Sequence, residues 1–234
     1  MESVTTHSIT SLVLIGSSLL VPFIAFGTYR GSGASLKKSI AISLIIALWG
    51  AIMYFFSTSW QFELGNPNLA WVMVILNLIW PSALVFAFRD FFIGDGLSLK
   101  WLTLTQATRF MGTLFILENI RGFTGTLFAY VSGFGDFMAA VIALTILVQT
   151  FTGGKPTKGV YYFLIIFGLL DFVVAYSLSI SSSPGVAIQS IAFGENHSMN
   201  LFPLALLPYF LVPFATAYHF MMYLTIKRNP KLNT

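Results

Sequence analysis

The chain has 234 residues, of which 56% are hydrophobic and only 9% charged, with a net charge of +4 and no cysteine. A soluble fold carries roughly 25% charged residues to coat its surface, so this composition excludes one and describes an integral membrane protein. The missing cysteines rule out disulfides, thiolate metal sites and cysteine nucleophiles, and with no basic cluster longer than two residues, nucleic acid is not an expected partner.

A hydrocarbon core of about 30 Å takes roughly 20 helical residues to cross. Seven apolar runs of about that length predict an all-α, polytopic bundle of seven transmembrane helices in a single domain. In chain order they cover Ser8–Thr28, Ser39–Phe56, Leu69–Phe88, Trp101–Ile120, Gly133–Phe151, Val160–Ile180 and Leu201–Ile226. The first run lacks the basic leader of a signal peptide, since Arg30, Lys37 and Lys38 follow it, and it is expected to stay attached with the N-terminus outside.

Seven spans from an outside N-terminus put alternate loops in the cytoplasm, where basic residues collect. Arg30, Lys37 and Lys38 then fall in the first loop, Arg89 and Lys100 in the third, Lys155 and Lys158 in the fifth, and Lys227, Arg228 and Lys231 in a cytoplasmic tail. Glu2, Glu63, Glu118 and Glu195 fall outside, and Arg121 alone breaks the pattern. The longest outer loop is expected to form a short interfacial helix over Val186–Phe193, and beyond it Asn196-His197-Ser198 fits a glycosylation sequon. "LVPFIAF" from Leu20 recurs as "LVPFATA" from Leu211, a pair of proline-kinked helices rather than a repeat.

Four ionisable residues lie well within predicted spans, away from their ends: Arg109, Asp136, Asp171 and His219. A charge in hydrocarbon costs roughly 3 kcal/mol on insertion scales, so each one asks for a partner or a function. Thr105, Gln106, Arg109, Gly112 and Thr113 follow the i, i+3, i+4 rhythm and make one polar stripe, which should face protein or water. Asp171 has Gly168 and Ala175 on its own face, small enough to admit a neighbouring helix, and an Arg109–Asp171 ion pair is expected. Such a pair serves as a proton relay or as glue between helices, and both readings stand. His219 joins the relay set or simply packs.

The segment "YVSGFGDFMAA" raises the question of Asp136. One helix from Gly122 to Phe151 would run about 45 Å, so a break is expected at Ser132, Gly133 and Gly135. Phe123–Tyr130 would then lie along the outer interface. Asp136 would sit in the first turn of a helix at the outer mouth, favoured by the macrodipole, with Arg121 as partner. Glu118 and Arg121, three residues apart, are expected to form a local surface pair at that mouth. Gln106, Thr105, Thr113, Asn77, Thr216 and Tyr223 are the expected cavity lining, and Pro203, Pro208 and Pro213 leave carbonyls that need partners or water.

Every lysine lies in a loop or tail, which excludes a retinal Schiff base, and one intramembrane histidine does not make a dihaem site. No HExxH, carboxylate cluster, protease motif or phosphate loop occurs, so no metal, cofactor or catalytic set is expected. The order of an arginine in the fourth span, "GFGD", "GLLD" followed by "SSPG", and "LVP" with a histidine near the end resembles a family of uncharacterised bacterial seven-span integral membrane proteins. The resemblance covers about half the chain, from Arg109 to His219. It implies no established activity, only that these polar residues belong to one set in a bacterial inner membrane.

The leading expectation is a small transporter, or an ion or proton conductance, built on Asp171, Arg109 and His219 near the midplane. Its partners would be the lipid bilayer and a proton or small-molecule substrate, with the oligomeric state open. The alternative is a sensor or assembly subunit binding a lipid or small hydrophobic ligand. The third is a lipid-acting enzyme using Asp136 or His219 as acid or base.

Overall fold

A computed structural model describes residues 8–59, 67–189 and 202–228. Among the described residues every regular element is helical: α1 (Ser8–Arg30), α2 (Leu36–Ser59), α3 (Pro67–Ala87), α4 (Arg89–Ile93), α5 (Leu99–Ala107), a 3-10 segment (Thr108–Thr113), α6 (Leu114–Ile120), α7 (Thr126–Phe151), α8 (Lys158–Ser182), a π turn (Leu207–Leu211) and α9 (Val212–Arg228). Among the described residues, five helices are long and apolar enough to cross a membrane: Ser8–Arg30, Leu36–Ser57, Thr126–Phe151, Lys158–Ser182 and Leu207–Arg228. Glu2, Glu63, Glu195, Lys231, the sequon and the second half of the expected interfacial helix lie outside the described residues; Val186–Gln189 forms turns.

The last helix is the centre. In the most apolar window of Leu207–Arg228, 78% of the residues are buried, against 11% for α2, so α9 is wrapped by protein while α2 offers nearly all its surface to the surroundings. α9 packs on α3, α5 and α8, and α7 packs on α5, the 3-10 segment, α6 and α8. Pro213 explains the widened turn at the head of α9. It has no N–H, so the carbonyls it would serve in an α or a π pattern, Tyr209 and Pro208, lose their donor. Asn77 Nδ2 on α3 donates to the Tyr209 carbonyl, and the Tyr176 hydroxyl on α8 donates to the Pro208 carbonyl at 3.1 Å. The kink is thereby tied to two neighbouring helices.

The fourth expected span is no single α-helix. Thr108 Oγ1 donates to the Thr105 carbonyl and Thr113 Oγ1 to the Phe110 carbonyl, both at 2.7 Å. Such back-bonding favours bent, tightened backbone, and between these threonines the chain winds as a 3-10 helix, a form that in mid-helix marks strain or function.

The expected break at Ser132–Gly135 does not occur, because α7 runs unbroken from Thr126 to Phe151. At about 39 Å the helix exceeds the hydrocarbon thickness, and tilt accommodates that excess more cheaply than breaking backbone hydrogen bonds. The glycines that suggested a break are instead contact surfaces. A side chain at Gly133 would meet the Gly112 carbonyl and Ile116, and one at Gly135 would meet Asp171.

Candidate functional site

The site is built on the 3-10 segment. Residues i and i+3 eclipse in a 3-10 helix, so Arg109 stands directly in line with Gly112, and both meet α7 where Asp136 lies. Arg109 Nε donates to Asp136 Oδ1 at 2.7 Å, its Nη2 donates to Asp171 Oδ2 on α8, and its Nη1 donates to the Gly168 carbonyl at 3.3 Å. The three side chains are 4%, 13% and 7% exposed in the order Arg109, Asp136, Asp171, so one guanidinium ties three helical elements together away from solvent.

Glycine makes the approach possible on every side. The carboxylate of Asp136 rests against Gly112 and that of Asp171 against Gly135, closely enough that a Cβ at either glycine would collide with it. A Cβ at Gly168 would meet both His219 and Arg109 Nη1. The Phe172 ring lies under the guanidinium, with Arg109 Cζ 3.9 Å from its centroid, and meets the His219 ring edge-on at 6.1 Å. This cation–π face holds the guanidinium flat while its edges bind the carboxylates.

His219 is fully buried, and neither ring nitrogen has a hydrogen-bond partner among the described residues. The buried Gln106 Oε1, Ser132 Oγ and Thr216 Oγ1 share that condition. Buried polar atoms are normally paired, so this seam has unused hydrogen-bonding capacity. Beside Arg109 and Asp136 lies a cavity of about 30 Å³, bounded by Ser17 and Val21 of α1, Thr105, Thr108, and Leu211 and Phe214 of the last helix. That is room for about one or two waters.

A family model described as a domain of unknown function, DUF8737, matches residues 61–226. The chain belongs to the DUF8737 family. Arg109, Asp136, Asp171 and His219 all lie within the DUF8737 match, whereas α1, which closes one wall of the cavity, precedes it. No curated protein and no solved structure matches the chain.

The polar set of this DUF8737 chain differs from the sequence expectation in composition. Arg109 and Asp171 pair, as their helical faces suggested, but Asp136 is not in the first turn of a helix and its partner is Arg109 rather than Arg121. It lies well inside α7 and holds the other edge of Arg109. A continuous α7 is the reason, since it carries Asp136 down to the level of the 3-10 segment.

Arg121 does bond Glu118, at 3.0 Å, yet this is no surface pair. Glu118 is fully buried and accepts a 2.5 Å bond from Thr10 Oγ1 of α1. Of the expected lining residues, Thr105 borders the cavity. Gln106 donates to the Ala215 carbonyl and Asn77 to that of Tyr209, so both hold the last helix. Thr113 bonds its own backbone, Thr216 is buried, and Tyr223 is 36% exposed, tilted against Tyr162. Phe172, Tyr176, Thr108 and Ser17 went unrecognised in the sequence. Phe172 is adjacent to Asp171, but nothing local marks it as the floor of an arginine on another helix.

Proposed function

We propose that the chain is a small bacterial inner-membrane transporter or proton conductance: one transmembrane domain of seven spans, with the N-terminus outside. Beyond the five long helices, two elements support seven crossings. α3 contributes the apolar stretch Trp71–Ala87, and the continuous α5, 3-10 and α6 series from Leu99 to Ile120 would reach about 36 Å at the rises of those helix types.

One observation carries the functional reading: a single buried guanidinium is shared by two carboxylates from two other helices. With both carboxylates ionised the group has one net negative charge in apolar surroundings, a state that invites a proton. Glue would need only one carboxylate. Protonation of Asp171 releases Nη2 of Arg109 while Nε stays on Asp136, so the guanidinium can swing from α8 to α7 without ever lacking a counter-ion. His219 crowds Arg109 at Gly168, and both its ring nitrogens lack a hydrogen-bond partner among the described residues.

The test is flux. Purified protein in liposomes containing a pH-sensitive dye should carry protons down an imposed gradient, and Asp171→Asn should remove most of that flux. Wild-type flux in the variant would end the proposal. A sensor or assembly subunit is the second reading, favoured by the outward side chains of α2, with Leu44, Ile45 and Leu48 each 63% exposed. It predicts no flux and a co-purifying partner or lipid.

A further inference from the structure

We infer that the end of the bundle where α1 and α9 finish and α2, α5 and α8 begin is a docking surface for anionic phospholipid headgroups. This surface is separate from the Arg109 site and does not depend on the transport reading. Charge, geometry and the flanking apolar surface agree on it.

The charge is one-sided. Hydrogen bonds tie the elements of this end together: Ser98 N at the head of α5 donates to Ser32 Oγ just after α1 at 2.7 Å, and Leu97 N donates to Thr225 Oγ1 near the end of α9 at 3.2 Å. Every described lysine lies at this end, with Arg30, Arg89 and Arg228, and the only described carboxylates among them are Asp90 and Asp95. Arg228 takes Asp90. At the opposite end the described charged residues, Glu118 and Arg121, form one ion pair. The excess positive charge is therefore confined to a single face.

Two of the lysines stand over exposed aromatic rings. Lys100 Nζ lies 3.9 Å from the Phe151 centroid and Lys38 Nζ 4.9 Å from that of Phe91, and these phenylalanines are 66% and 55% exposed. Val148, one turn before Phe151, and Phe163 on α8 continue the exposed apolar surface. An apolar body below and a charged tip above suit a membrane interface, where rings meet acyl chains and ammonium groups meet headgroups. Lys100 and Lys155 make no hydrogen bond or ion pair among the described residues. Lysine binds phosphate as a point charge. A zwitterionic headgroup brings an ammonium of its own, which this face repels, so a headgroup with net negative charge is selected. A soluble anion would gain the charge contact but not the apolar one.

Thermal unfolding of the purified full chain in detergent micelles tests the surface. Phosphatidylglycerol is titrated against phosphatidylcholine of the same acyl chains, because a ligand that binds only the folded state raises the midpoint by mass action. A saturable rise with phosphatidylglycerol, well above that with phosphatidylcholine and weakened by added salt, is the expected result. Changing Lys38, Lys100 and Lys155 together to Gln should raise the half-saturating concentration by roughly tenfold. Changing the same three to Arg should leave it near the wild-type value, since the charge remains.

Equal rises with the two lipids, or an unmoved half-saturation in the triple Gln variant, overturn the proposal. So does an equal rise from inorganic phosphate at matched ionic strength, which would mean that the face binds free anions. Should the triple Gln variant not fold, Lys155→Gln alone, in the exposed loop between α7 and α8, should move half-saturation by about twofold. No movement there overturns the surface.

Discussion

Asp136 and Asp171 hold opposite edges of one guanidinium, the first through Nε of Arg109 and the second through Nη2. They come from adjacent helices, α7 and α8, and each leans on a glycine of the element it faces. Removing the cation should therefore cost far more than removing either anion. Arg109→Gln leaves two buried carboxylates facing each other and should lower stability by about 3 kcal/mol or more. Asp136→Asn or Asp171→Asn leaves a balanced pair and should cost much less. Arg109→Gln combined with both Asp→Asn changes should recover most of the loss, and unfolding in detergent measures all four variants as one coupled set.

The three glycines of the site predict a graded steric effect. Gly112→Ala, Gly135→Ala and Gly168→Ala each place a methyl group onto Asp136, Asp171 or the His219–Arg109 contact. Overpacking of this kind costs typically 1 to 3 kcal/mol. Gly16 of α1 has no neighbour within 4 Å, and Gly16→Ala should be neutral or stabilising because alanine is the better helix former. Yield of folded protein and unfolding midpoint are the readouts.

The two carbonyls orphaned by Pro213 give a coupled prediction. Asn77→Ala and Tyr176→Phe each remove a donor from a part-buried carbonyl, and each should cost about 1 kcal/mol. Pro213→Ala restores the backbone N–H. In that background the Asn77→Ala penalty should shrink, and an unchanged penalty would show that Asn77 does not serve the proline kink.

A pH effect is expected where Asp90 of α4 meets Arg228 at the end of α9. The hydrogen bond from Arg228 holds the Asp90 carboxyl below its ordinary value. A carboxyl depressed in the folded state contributes stability above its unfolded value, near 3.8, and loses that contribution as pH falls through the folded value. The difference in unfolding midpoint between wild type and Asp90→Asn should thus be present at pH 6 and vanish at more acidic pH. Since Asp90 is 83% exposed, the effect should be small and should shrink further in high salt.

How much of this was legible beforehand divides by range. Helical periodicity put Thr105, Gln106 and Arg109 on one face, and Gly168 beside Asp171, because those relations repeat every turn of a single helix. The fate of "GFGD" was not legible. Glycines next to a serine read equally as a break or as a packing surface, and what decides is whether another backbone stands opposite. Here Gly112 and Ile116 stand opposite Gly133, so the helix continues. Glu118 misled for a similar reason. Its partner Arg121 is three residues away, but Thr10, which shows the carboxylate to be buried, is more than a hundred residues distant.

Composition and apolar run length were enough to determine that the chain is helical and has a membrane-compatible surface, because lipid selects on hydropathy alone. They also located the four ionisable residues that such a surface cannot leave exposed. Tertiary structure alone decided that Arg109 has two anionic partners, that α9 is the wrapped centre, and that a small cavity lies beside Asp136. The physical reason is that pairing depends on relative helix height, which an unbroken α7 and a 3-10 segment with its longer rise per residue both shift. Neither shift leaves a mark in the local residue pattern.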